Sequence, residues 1–476
     1  MSVKPKSSSS TAIILLAAGL GKRMASSLPK VLVPVCGKPM LFHILDRVAS
    51  ELPGARVAIV VGYQKEKVIE ATKAQNFDLE IDFVEQSEQK GTGHAVKCAM
   101  VSDWGKKTVA AKSNVLVLPG DLPLMTNELI REMAEPLKRG SAMRLLTAIL
   151  PDPFGYGRIV RKGKKGGVLR IVEEKDATLR EKMIQEVGLS IYTFQAQFLA
   201  SGVESLKPNN AQKEYYLTDL VALAVQKKRA IETQVWENAE DVRGVNNPYE
   251  LSLAGAILNS RIVRHHAVNG VRFLSLSSCR VDPGVKIAAD VTVYPGVILE
   301  GETEIGAGTV LGANVFLKNV KIGERCEIKA GTYAEDSIVS DEVKLGPYAH
   351  LRPGTEISSQ AKIGNFVELK KAKIGVKTAI SHLSYVGDAE VGDRVNIGCG
   401  FVTCNYDGKE KHQTVIEDDV FVGSDCQAVA PVRLKKGSYI ASGSTITDEV
   451  EEDALAIARS RQVNKAGYAK KLKGRQ

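Results

Sequence analysis

The chain has 476 residues, 44% of them hydrophobic, 25% charged and 5% aromatic, with 42 glycines and a net charge of +9. That length is more than one core fills and calls for two domains, and the composition excludes a disordered, fibrous or membrane-spanning chain. Much of the positive surplus lies at the ends, in Lys4, Lys6, Lys465, Lys470, Lys471, Lys473 and Arg475, so it argues for anionic small substrates over a nucleic-acid or membrane surface.

Residues 1–11 read as a disordered Ser-rich tail. Lys4 and Lys6 ahead of the apolar residues 11–18 imitate a signal peptide, but that core is short and runs into a Gly-rich basic turn, which marks a buried first strand. Over residues 12–247, apolar runs at 13–16, 57–61, 81–84, 115–118 and 145–150 alternate with helix-patterned segments such as 40–51 and 95–101. Strand, crossover helix, strand is the grammar of a Rossmann-like, mostly parallel sheet covered on both faces. Pro248 opens a connector helix with Leu251, Leu258 and Ile262 on one stripe, and residues 248–270 read as a linker.

From residue 271 a beat of six takes over. Val281, Ile287, Val293, Leu299, Ile305, Leu311 and Leu317 form one train; Leu345, Leu351, Ile357, Ile363 and Leu369 a second; Ile416, Val422, Ala428, Leu434, Ile440 and Ile446 a third. Neither the helical period of 3.6 nor the strand period of 2 produces that spacing. A parallel β-helix of hexapeptide repeats does, with one inward aliphatic residue per side. This domain, with its polar and basic tail, is expected over residues 271–476. Loops are expected to leave the coil near 335–343 and 404–414, where the beat breaks. The seven cysteines form no Cys-x-x-Cys and imply reduced thiols in a cytoplasmic protein. His265 and His266 read as a solvated helix end.

The first strand leads into Leu16-Ala17-Ala18-Gly19, followed by Arg23 and Lys30. Small residues let backbone N–H groups close on a phosphate chain whose charge the two cations neutralise. Gln86, Gly91 and Thr92 offer amide and backbone groups to a flat base edge. Gly120-Asp121 follows a buried strand, which puts a carboxylate at the carboxyl edge of the sheet, the place for a magnesium ligand. Gly157, Glu173 and Asn246 complete the front set. In the repeat region Arg352 and Lys370 supply two cations for a sugar phosphate, while His382 is the histidine surrounded by such groups and suits deprotonation of an amine. Tyr385 and Asn396 recur at coil spacing beside it.

With these motifs in this order, residues 12–460 resemble the bacterial bifunctional N-acetylglucosamine-1-phosphate uridyltransferase / glucosamine-1-phosphate acetyltransferase family. The resemblance implies that Leu16, Ala17, Ala18, Gly19, Lys30, Gln86, Gly91, Thr92 and Gly120 hold the uridine nucleotide. Gly157 and Glu173 then reach the sugar, Asp121 and Asn246 bind Mg²⁺, and Arg23 and Lys30 neutralise charge in uridylyl transfer. It implies His382 as catalytic base, with Arg352, Lys370, Tyr385 and Asn396 on the sugar phosphate. Acetyl-CoA falls to Cys399, Asn405, Tyr406, Ser424, Ser442 and Arg459. It further implies a left-handed coil, a homotrimer, and UTP, acetyl-CoA, glucosamine-1-phosphate and N-acetylglucosamine-1-phosphate as substrates feeding cell-envelope polymers. Two positions depart from the pattern. Gly188 stands where a sugar-binding Asn is expected, and Pro119 where Tyr can occur. The alternatives are a sugar-1-phosphate nucleotidyltransferase of other specificity with a regulatory or trimerising β-helix, and an assembly module with inactive sites.

Overall fold

The computed structural model describes residues 11–163 and 166–474. The tail expected over residues 1–11 lies outside that range except for Thr11, as do Lys4, Lys6 and Arg475. The chain divides into two compact units with the boundary between Leu258 and Asn259.

The front unit is built on strands β1 (Ala12–Ala17), β2 (Arg56–Val61), β3 (Glu80–Glu85), β4 (Asn114–Pro119), β5 (Ser141–Ile149), β6 (Gly157–Arg161), β7 (Val168–Val172), β8 (Glu186–Gln195) and β9 (Ala230–Val235). They form one sheet in the order β9-β5-β8-β4-β1-β2-β3, with β6 pairing both β8 and β7 off that path. β1 lies parallel between β2 and β4, and β8 is antiparallel to both of its neighbours. The continuous apolar runs of β1, β2 and β4 follow from that placement: a strand covered on both faces has no reason to alternate. Ile13, Ile14, Leu15, Ile59 and Leu116 are all fully buried.

Helix α1 (Met40–Glu51) has the bounds its periodicity predicts, and it buries Leu41, Ile44, Leu45 and Val48. Strand β5 starts four residues before the expected position and stops at Ile149. The apolar pattern breaks at Arg144, but the strand does not. Its guanidinium is buried, donating to Glu232 Oε2 at 2.8 Å and to the carbonyls of Glu132 and Glu135 at 3.1 and 3.0 Å. Helix α2 (Thr92–Val101) likewise begins three residues early, directly after Gly91, whose φ of 95° ends the preceding turn. The connector, α3 (Pro248–Val268), buries Ala254, Leu258 and Val263, with Leu251 and Ile262 half-buried. No described helix is long and apolar enough to cross a membrane.

The back unit is a parallel β-helix. Val281, Leu299, Leu317, Ala334, Leu351, Leu369 and Val386 stack in one ladder, one residue per coil. A second ladder runs Ile287, Ile305, Ile322, Val339, Ile357, Ile374, Val391 and Ile416. A third runs Val293, Leu311, Ile328, Leu345, Ile363, Ile380, Ile397 and Val422. Each train therefore visits the three inner edges of the coil in turn. No loop leaves near residues 335–343. The step from Ala334 to Val339 is one residue short because Asp336 turns the corner in the left-handed region, at φ 42°. The second break is a true excursion, leaving after Cys404 and returning at Thr414.

Buried hydroxyls close the corners where the ladder cannot. Thr378 Oγ1 donates to Gly392 O at 2.7 Å and accepts from Val395 N at 3.0 Å; Thr309 makes the same pair of bonds to Gly323 and Cys326. Replacing Thr378 by the isosteric Val leaves a buried backbone N–H unpaired. The expected loss is about 1–3 kcal/mol in denaturant unfolding, with Thr378→Ser closer to the parent.

Candidate functional site

The sheet order assembles the front site. Parallel pairing of β1 with β4 aligns Leu16 with Pro119, and Gly120 N donates to Leu16 O at 2.9 Å. A Cβ on Gly120 would stand 2.7 Å from that carbonyl oxygen, so the approach requires glycine. Asp121 O in turn accepts from Val245 N at 3.1 Å, which brings Asn246 to the same edge. Lys30 Nζ donates to Asp121 Oδ2 at 2.5 Å and to Asn246 Oδ1 at 2.9 Å, and Arg23 Nη2 donates to Asn246 Oδ1 at 3.2 Å. Two cations and two oxygen ligands thus meet at one point.

Around it, Ala17 pairs with Val61, and Ala18 O accepts from Gln89 Nε2 at 3.2 Å. Among the described residues, none beyond its chain neighbours comes within 4 Å of where a Cβ on Gly19 would stand. Gln86 is buried and donates from Nε2 to Gly91 O at 3.1 Å, while Thr92 Oγ1 accepts from Leu217 N at 3.4 Å.

A second cluster forms where β6 meets β8. Gly157 is in register with Gly188, and Glu173 Oε2 stands 3.4 Å from the point a Gly157 Cβ would occupy. Arg158 beside them is buried, pairs with Glu174 at 2.7 Å and donates to Tyr156 O. At Gly188 the nearest groups to an added Cβ are Ile171 Cδ1 at 3.3 Å and Ile159 Cδ1 at 3.5 Å. That wall of the cluster is aliphatic and carries no amide. β8 bulges between Gly188 and Tyr192, and Ser190 there has a φ of 58°. Burial pushes the Glu173 carboxyl above the usual carboxylate range, against the pull of the Thr218 hydroxyl that donates to it at 3.0 Å.

In the β-helix the site lies at a corner between two faces. His382 ends the strand Ala379–His382 and Tyr385 opens the next, with Leu383 turning between them at φ 43°. His382 is in register with Asn365, and its Nδ1 stands 2.7 Å from Asn365 Oδ1. A carbonyl oxygen only accepts, so Nδ1 carries the hydrogen of that bond and Nε2 is the ring nitrogen left free of it. Arg352 pairs with Glu368 at 3.0 Å, and Lys370 lies 3.8 Å from Asp388. Asn396 is exposed one coil on from Ala379.

The excursion returns to this corner. Asn405, assigned by resemblance to acetyl-CoA, is buried, and its Nδ2 donates to Asp388 and reaches the Tyr385 hydroxyl at 3.5 Å. Tyr406 is exposed. Lys411, which the sequence reading passed over, lies against Lys370, and that neighbour lowers its ammonium pKa. The charge pattern of residues 409–412 alone could have flagged it; Asp388 carried no such signal, and Asn365 lies in the motif of Glu368 and Lys370 without a role legible from it. Cys399, Ser424 and Ser442 occupy the same corner in successive coils, joined by Asp425 N to Cys399 O at 2.7 Å and Gly443 N to Ser424 O at 2.9 Å. Arg459 Cδ passes 3.8 Å from the place of a Gly443 Cβ.

Residues 13–151 match the family model of the MobA-like NTP transferase domain, and residues 302–333 and 413–448 that of the hexapeptide repeat of succinyl-transferase. The chain is 44% identical to the bifunctional protein GlmU of Trichlorobacter lovleyi, over 97% of this chain and 98% of that relative. It is 45% identical to the one of Geotalea daltonii, over 97% and 99%, and 42% identical to the one of Clostridioides difficile, over 96% and 97%.

A carboxyl raised by burial costs stability as pH climbs from its unfolded value of 4.5 through its folded one, and nothing below that range. Glu173→Gln is therefore expected to be more stable than the parent at pH 8 and to lose that advantage below pH 4. Thermal unfolding across that pH range checks it.

Proposed function

We propose, for a chain that belongs to the family of bifunctional GlmU proteins, that the two units catalyse successive steps toward UDP-N-acetylglucosamine. The β-helix transfers the acetyl group of acetyl-CoA to glucosamine-1-phosphate, and the sheet unit joins the product to the uridylyl group of UTP. The observation that carries this reading is the His382 ring, oriented by Asn365 through Nδ1 with Nε2 left free, in the same coils as Arg352 and Lys370, in a fold that also holds a separate nucleotide-type sheet edge. A β-helix that only regulates or trimerises has no use for that constellation.

In the first step the sugar amine attacks the thioester carbonyl carbon. His382 Nε2 takes the amine proton as the C–N bond forms, the tetrahedral intermediate collapses, and the coenzyme A thiolate leaves and recovers a proton. Arg352, Lys370 and Lys411 hold the phosphate, Tyr385 and Asn396 the sugar. Asn405 acts through Asp388 and Tyr385. Tyr406, the corner column of Cys399, Ser424 and Ser442, and Arg459 line the cofactor. Direct transfer needs only a base, so no acyl-cysteine intermediate at Cys399 is invoked.

In the second step a phosphate oxygen of N-acetylglucosamine-1-phosphate attacks the α-phosphorus of UTP in line, and pyrophosphate leaves. Positioning and charge neutralisation suffice, with no protein nucleophile. Arg23 and Lys30 supply cations, the segment Leu16–Gly19 supplies backbone donors, and Gly157 and Glu173 meet the sugar. Asp121 Oδ2 and Asn246 Oδ1 already converge on one cation, the Lys30 ammonium, at 2.5 and 2.9 Å. The pair fits a hard cation that takes few protein oxygens. Mg²⁺ held by Asp121 and Asn246 would supply charge neutralisation on the nucleotide phosphates. The reading carries with it a cytoplasmic protein and an assembly of three chains that share acetyltransferase sites.

Incubation with glucosamine-1-phosphate, acetyl-CoA, UTP and Mg²⁺ is expected to yield UDP-N-acetylglucosamine by mass spectrometry. Accumulation of N-acetylglucosamine-1-phosphate without a nucleotide sugar would overturn the front-unit reading. His382→Ala is expected to lower acetyl transfer by about 10²–10⁴-fold and to leave uridylyl transfer intact. A joint loss would refute two independent sites.

A further inference from the structure

Gln86 carries one amide whose two ends read opposite chemistry, and its surroundings fix which end is committed. Nε2 donates to Gly91 O at 3.1 Å. A carbonyl oxygen accepts only, so the atom beside it is the nitrogen and not the oxygen. The same Nε2 stands 3.1 Å from His94 Nδ1. The second amide hydrogen therefore points at an imidazole nitrogen that must accept, which puts the ring hydrogen on Nε2, 3.9 Å from Cys98 Sγ. Both donors of the amide are used within the protein, and Oε1 is left to read a ligand. His94 is half-buried on the first turn of α2 and lies 6.1 Å from the Tyr215 ring, while Gly93 N donates to Tyr215 O at 2.8 Å and pins that turn.

We propose that His94 is a positioning residue for base recognition: it holds the Gln86 amide so that an acceptor, and not a donor, faces the base. This rests on the reading of Gln86 as the residue that meets the nucleotide base. An acceptor at that point pairs with the N3–H of a uracil ring and opposes the N3 lone pair of a cytosine in the same pose. Without His94, one amide hydrogen loses its partner, and the inverted amide, which presents NH₂ to the base, becomes accessible.

The test is steady-state uridylyl transfer by the full chain with UTP and with CTP as the nucleotide. In His94→Leu the preference for UTP over CTP, as a ratio of kcat/KM, is expected to fall about tenfold or more, with the UTP loss carried mainly by KM. His94→Asn, which returns a carbonyl acceptor near the place of Nδ1, is expected to keep the ratio within about threefold of the parent. Acetyl transfer by the same preparations reports that the chain is folded. An unchanged ratio in His94→Leu, with UTP use strongly impaired in Gln86→Leu, overturns the positioning role alone. An unchanged KM for UTP in Gln86→Leu overturns the base-reading assignment and the proposal with it.

Discussion

Both sites depend on parallel strand pairing. A parallel pair runs in one direction, so residues at equal depth in successive strands come out on the same edge or stack in the same column. In the front unit β2, β1 and β4 end together, and the residues just past those ends (Gly19, Gly120 and Asp121) share one rim. In the solenoid the same rule acts coil by coil. Asn365 meets His382, Glu368 meets Tyr385, and Ala379 meets Asn396, although each pair is separated by a whole turn of chain. Antiparallel strands would send alternate ends to opposite edges and scatter these groups. The strand β8, antiparallel to both β5 and β4, brings Gly188 against Gly157 and opens the second cluster of the front unit.

Charge is handled alike in both places. Cations proposed to meet phosphate are held by a partner rather than left to water: Lys30 by Asp121 and Asn246, Arg352 by Glu368, and Lys370 by Asp388. Such pairs contribute little to stability when partly exposed. Their effect is to fix side chains that otherwise sample many rotamers, so that an anionic substrate meets a preformed field. Lys411 is the exception, because its neighbour is another cation. Two like charges held together are unfavourable until an anion arrives, and in the proposed reading the sugar phosphate relieves that repulsion.

The fold was legible wherever one face or one edge dictated the residue. The hexapeptide trains gave the inner edges of the coil residue by residue, since only an inward position demands Val, Ile or Leu every sixth place. Legibility failed where a polar residue interrupts the apolar pattern, buried with its own partner as at Arg144 or exposed at a corner as at Asp336. Arg144 concealed the first half of β5, and Asp336 made a tightened corner look like a loop. In the sites, the groups proposed to touch substrate carry recognisable chemistry and stand out by their motifs. Groups that act through another side chain are harder to read: Asn365 and His94 lie within the motifs but carry no role there, and Asp388 lies outside them. Register and hydrogen bonding reveal them, and both are long-range properties that spacing does not encode.

Those hidden residues share a physical logic, which is control of groups that have two unlike ends. An imidazole or an amide can present a donor or an acceptor at nearly the same point in space, so its chemistry is undefined until one end is committed. Asn365 commits Nδ1 of His382 and thereby leaves Nε2 basic; Asp388 commits the Asn405 amide; Gly91 and His94 commit both hydrogens of Gln86. In each case the committing bond lies within the protein and on the side away from the role assigned to the group. That arrangement costs nothing at the moment of binding, because the choice between the two orientations is made when the chain folds. Rigid scaffolds suit it, since a sheet edge or a stacked coil holds the second partner in place to within the tolerance of a hydrogen bond. A flexible loop could present the same side chains but could not decide which of their ends meets the substrate.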